Sequence, residues 1–158
     1  MPSVETKYFG TLSYTEAAVF HFLQGLPAFE QEKSFVLIEQ PEKAPLVFLQ
    51  SLTRANLCFV AFPIRVVDEN YELAIAPEDL EALELDVRRQ PVVGDEVTVL
   101  ALVSLHGKLQ ATANLMAPIV LNLRTRRGLQ AIRRDARYSH AHPLGDRGDR
   151  EQTAEHSC

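Results

Sequence analysis

An all-β, mainly antiparallel domain with one or two short helices is what this sequence predicts, on three observations. First, short runs rich in Val, Ile, Leu and Phe recur along most of its 158 residues. Second, several of them alternate with period two: Val97, Val99, Ala101, Val103 and Leu105 share one face, as do Leu109, Ala111, Ala113 and Leu115. Third, only one stretch has the cues of a helix. A chain with 46% hydrophobic and 23% charged residues has the composition of a globular protein. At this length it can bury a core large enough to need neither disulfide nor metal.

The strand runs, in order, are Val4–Leu12, Ala18–Phe22, Ser34–Glu39, Leu46–Ser51, Leu57–Phe62, Val97–Leu105, Leu109–Asn114, Ile119–Arg124 and Leu129–Arg133. Gly25-Leu26-Pro27 and Gln40-Pro41-Glu42-Lys43 punctuate the early runs, and His106-Gly107-Lys108 reads as a short hairpin loop. Alternation with one wetter face is the mark of an antiparallel sheet, and strands this short and numerous suggest a sandwich or small barrel. Ala76–Leu85 is the helix: Pro77, Glu78 and Asp79 occupy its first turn, where the dipole favours acids and the missing proline N–H costs nothing. A second helical turn is expected over Pro27–Lys33. Gly145 to Cys158 contains no large apolar side chain and is expected to be disordered, leaving residues 1–144 as a single domain.

Charge is polarised along the chain. The net −5 combines a segment from Asp68 to Glu96, with ten acidic and two basic residues, and a segment from Arg124 to Arg137, with six arginines and one aspartate. The acidic segment surrounds Phe62, Ile64, Val66 and Tyr71, a combination suited to docking on a basic protein. The arginine segment has two readings. It could contact nucleic-acid phosphates, or it could be a basic rim facing the protein's own acidic pole. Base-stacking aromatics are missing from it apart from Tyr138.

No catalytic constellation is legible. GxGxxG and GxxxxGK[ST] are absent, and Ser104-Leu105-His106 lacks any activating motif. His140, His142, His156 and Cys158 do not make a four-ligand zinc set on a rigid frame, so no metal or cofactor is expected. MPSVETKYFG has no basic-then-apolar leader, and the longest apolar run is far short of a membrane span. A Cys58–Cys158 disulfide would tie a core strand to a polar end, so both thiols are expected reduced and the protein cytoplasmic.

Six segments, in order, resemble the FliW family of flagellar assembly factors: Glu5–Gly10, Phe22–Glu30, Phe48–Ser51, Ala113–Asn122, Arg127–Ile132 and His142–Leu144. Ala28 stands where that family usually has glycine, and Ala61–Glu72 is more diverged. The resemblance implies a small, strongly bent β-barrel-like fold and a non-enzymatic regulator, monomeric on its own. It further implies binding to the translational repressor CsrA, which the regulator antagonises, and to flagellin, so that partner switching couples flagellin translation to assembly. Direct nucleic-acid binding and membrane association are not implied. A small β-barrel RNA-binding protein using Arg124–Arg137 is the alternative. The expected partner surface comprises Phe62, Glu69, Tyr71, Glu72, Glu78 and Asp79.

Overall fold

The computed structural model describes residues 1–106 and 110–145. Its strands are β1 (Ser3–Thr6), β2 (Gly10–Ser13), β3 (Val19–His21), β4 (Ser34–Glu39), β5 (Val47–Ser51), β6 (Cys58–Pro63), β7 (Val97–His106), β8 (Gln110–Ala113), β9 (Ile119–Asn122), β10 (Gly128–Gln130) and β11 (His142–Pro143). The helices are α1 (Ile64–Val67) and α2 (Pro77–Ala82), with 3-10 turns at Glu16–Ala18 and Pro41–Lys43. The protein is therefore mostly antiparallel β, as the alternation predicts.

Strands β10-β9-β7-β6-β5-β4-β3 follow one another in a single sheet, every ladder antiparallel. β7 is its hub. One edge pairs Leu100–Leu102 with β6; the other pairs Val97–Leu100 with β9 and Val103–His106 with β8. Laid flat, seven strands would separate the outer two by roughly 29 Å. Instead the His21 N–H donates to the Arg126 carbonyl at 2.7 Å, and His21 bridges Arg127, so the sheet is bent until its ends touch. That single bridge is not a continuous ladder, and the described strands form no closed barrel.

The bend encloses Phe20, Phe22, Phe35, Leu49, Leu100 and Leu121. Gly128, next to that bridge, admits no side chain: a Cβ there would stand 2.7 Å from Leu121 and 2.8 Å from the Phe22 ring. On the outer face Val97, Val99, Ala101 and Val120 pack beneath α2 and the segment 71–75, through Tyr71, Ile75, Leu80 and Leu83. Both faces of β7 near its start are thus covered, where the alternation suggests one wetter face, because Leu100 and Leu102 point into the bend. The β1–β2 hairpin forms a separate two-stranded sheet, anchored by Phe9 edge-on to Phe48 at 5.4 Å.

Four local expectations change. The single run read over Val4–Leu12 is two strands, β1 and β2, paired antiparallel about a turn at residues 7–9. No helical turn forms over Pro27–Lys33; Leu26 and Phe29 form a tight bridge instead. Gly25 there has φ +65°, and a Cβ would meet the Glu30 carbonyl oxygen at 2.5 Å. Helix α2 stops at Ala82 rather than Leu85, with Glu84 in the left-handed region that ends helices. Cys58 is disulfide-bonded rather than a free thiol. Of the hairpin loop read at His106-Gly107-Lys108, His106 ends β7, and Gly107 and Lys108 lie outside the described residues, as does the tail beyond Gly145.

Candidate functional site

The region from Ile64 to Leu85 crosses the outer face of the sheet, and the arginine-bearing segment Arg124–Tyr138 runs alongside it. Their meeting explains both charge poles. Arg127 pairs with Glu84 at 3.4 Å, Arg134 with Glu78, and Arg137 with Glu72. Arg127 also donates to the Ala82 carbonyl at 3.2 Å, and the Asn122 side-chain amide donates to the Leu83 carbonyl at 2.7 Å. The two contacts satisfy carbonyls that a helix C-terminus leaves without partners. Within the acidic segment, Glu96 pairs with Arg89 at 2.7 Å. The Arg89 guanidinium, aided by the Val92 N–H, holds the Glu96 carboxyl at about 2.

Arg133 is the buried member of the cluster. Its guanidinium grips both Asp135 carboxylate oxygens at 2.9 Å, donates to the Glu72 carbonyl at 2.6 Å and to the Tyr71 hydroxyl at 3.1 Å. It also faces the Tyr138 ring at 4.7 Å. Such a cation is tolerable inside because its donors find acceptors and a carboxylate balances its charge. The same interaction holds the Asp135 carboxyl below its usual range.

The six residues expected to form a partner surface separate into different environments. Tyr71 is 1% exposed, stacks against Tyr138 at 4.4 Å, and donates its hydroxyl to the Leu115 carbonyl at 2.7 Å. It is a core residue and offers nothing to a partner. Phe62 is half-buried between two apolar clusters. Glu69, Glu72 and Glu78 are exposed, the latter two facing Arg137 and Arg134. Asp79 is partly buried in the first turn of α2, where desolvation and the neighbouring Glu78 charge raise its carboxyl above the usual range. Glu78 moves the other way, lowered first by its own backbone N–H and then by Arg134.

Of the arginines, Arg127, Arg134 and Arg137 face carboxylates of the acidic segment, the self-neutralising arrangement of the two sequence readings, while Arg133 pairs with Asp135 of its own segment. Asn122, an asparagine ending an apolar run, has the structural capping role that its place in the sequence suggests, its Oδ1 accepting from the Arg124 and Thr125 N–H groups. Sequence reasoning missed the interior position of Arg133, for which an arginine next to Ala131-Ile132 is a weak signal. Among the described residues no group of three or more His, Cys, Asp or Glu could hold a metal ion. None of their helices is long and apolar enough to cross a membrane.

The FliW protein family model matches residues 3–144. The chain belongs to the FliW family. Among its curated relatives, the flagellar assembly factor FliW of Bacillus subtilis is 33% identical over 142 residues, covering 90% of this chain and 96% of the relative. That of Syntrophomonas wolfei is 34% identical over 135 residues, covering 85% and 83%. A crystal structure of the flagellar assembly factor FliW superposes with a TM-score of 0.77 at 32% identity, covering 91% of this chain and 97% of that one. FliW family membership thus points to a role in flagellar assembly, and the mostly antiparallel fold is the family's own.

Proposed function

We propose that this chain is a non-enzymatic regulator of flagellar assembly that binds and antagonises CsrA and also binds flagellin, so that one partner displaces the other. The observation that carries the reading is the FliW match across residues 3–144. The acidic flank adds a physical route to a basic RNA-binding partner: Glu69, Glu72 and Glu78 are exposed, and Asp79 and Phe62 are partly buried. Charge of this kind steers association more than it sets affinity. Tyr71 is withdrawn from that surface by its burial. For the RNA-binding alternative, four of the six arginines face carboxylates, and the same pairs engage Glu72 and Glu78 on the acidic side.

Native mass spectrometry of the chain mixed with its own organism's CsrA and flagellin tests the reading. Binary complexes with each partner and no ternary complex are expected. Absence of both complexes overturns it. A ternary complex overturns the switching step. For the docking face, Glu69→Lys combined with Glu72→Lys should weaken CsrA binding about tenfold or more while the protein stays folded. Undiminished binding would remove the acidic face from the contact.

A further inference from the structure

Two adjoining cavities open on the side of the sheet turned away from α2. The first, about 360 Å³, has a floor of Phe20, Leu37, Val47, Leu100 and Leu123. The second, about 400 Å³, runs past Pro41, Pro45 and Leu46. Glu39, Val47 and Pro63 line both, which makes them one elongated groove. Thr98 and Leu100 reach it from β7, whereas Val97 and Val99 pack beneath α2. Side-chain alternation therefore sets the groove and the acidic flank on opposite faces of the sheet.

Arg126 stands at the first cavity. Its φ of +65° is a conformation that side chains other than glycine adopt at a cost. The Asn122 carbonyl, accepting from the Arg126 N–H at 3.0 Å, and the His21 N–H, donating to its carbonyl at 2.7 Å, hold it there. The result is a guanidinium over the Phe20 ring at 5.1 Å. Among the described residues its side chain has no hydrogen-bond acceptor or carboxylate, unlike Arg127, Arg133, Arg134 and Arg137. A strained backbone thus presents a planar set of donors, matched to a carboxylate, beside an apolar cavity.

We infer that the groove takes an extended peptide segment of another protein in which a bulky apolar side chain adjoins a single carboxylate. The apolar side chain fills the cavity over Leu37 and Leu100, and the carboxylate meets Arg126. The elongated shape favours a peptide over a compact ligand. Glu39, midway along, disfavours a second acid. This surface is separate from the acidic flank, and failure of the CsrA assignment leaves it standing.

The test uses the full chain and two capped hexapeptides, Gly-Ser-Phe-Asp-Ser-Gly and the same sequence with Asn for Asp, titrated to about 1 mM and followed by backbone amide NMR shifts. The Asp peptide is expected to shift the amides of Ala17, Phe20, Leu37 and Thr98, and to bind about fivefold or more tightly than the Asn peptide. Arg126→Gln should remove that preference, and Ala17→Trp, at the cavity mouth, should block both peptides. No shift from the Asp peptide, shifts confined to the acidic flank, equal binding of the two peptides, or undiminished preference in folded Arg126→Gln would each overturn the inference. The contrast between the peptides on the parent chain decides the matter even where a variant does not fold.

Discussion

Replacing Tyr71 with phenylalanine deletes one buried oxygen and keeps the ring. That oxygen donates to the Leu115 carbonyl at 2.7 Å and accepts from Arg133 at 3.1 Å. Arg133 retains Asp135 and the Glu72 carbonyl, so the main loss falls on the Leu115 carbonyl, stranded inside the protein. A buried acceptor left unsatisfied costs about 1–3 kcal/mol, and we expect about 2 kcal/mol here. For a chain of this size that lowers the melting temperature by about 4–8 °C. Urea unfolding of Tyr71→Phe against the parent measures it, with Tyr138→Phe, whose more exposed hydroxyl accepts only from the Glu72 N–H at 3.2 Å, as the milder control. Burial also raises the Tyr71 phenol above its ordinary value of 10.0. In the unfolded chain the phenol loses its proton first, so this group's contribution declines as pH rises through 10, and Tyr71→Phe should lack that decline. A loss below about 0.5 kcal/mol, together with weakened CsrA binding by the folded variant, would refute the interior assignment and restore Tyr71 to the partner surface.

Other outcomes follow from the same contacts. Asn122→Ala removes the donor to Leu83 and the acceptor for the Arg124 and Thr125 N–H groups, and should cost about 2–4 kcal/mol in chemical denaturation. Gly25→Ala drives a Cβ into the Glu30 backbone and should cost about 2 kcal/mol or more, whereas Ala28→Gly, at φ +73°, should stabilise by up to about 1 kcal/mol. Thermal melts of the pair check the contrast; a neutral Gly25→Ala would contradict the close approach. Glu96, held at about 2 against an ordinary 4.5, contributes fully above pH 4.5 and loses its contribution as pH falls through about 2. Glu96→Gln should therefore show a shallower acid-side slope than the parent over that window.

The strands were legible because their apolar residues alternate, and most boundaries read from the sequence fall within two or three residues of the observed ones. Ile64–Val67 was not, since Ile-Arg-Val-Val is rich in β-branched residues and looks like a continuation of β6. The Pro27–Lys33 turn failed because Gly25 and Ala28 both take positive φ, a backbone choice that no periodicity reports. The candidate surface was legible only as a charge pattern. Glu72 and Arg137 lie 65 residues apart, and nothing local to either announces that they meet. Tyr71 reads as a surface residue because its neighbours Glu69, Asn70 and Glu72 are polar, while its own ring turns inward against Leu115.

The order of synthesis gives the cross-paired poles a consequence in time. Residues 68–96 are made before the arginines at 127, 134 and 137 that face them. A nascent chain extending only to β7 carries its acidic segment without those cations, and the sheet cannot yet make the contact between His21 and Arg127. The last third of the fold thus both ties the two ends of the sheet and neutralises the charge of the middle. Any factor that recognises the uncovered acidic segment has its opportunity before that third is complete.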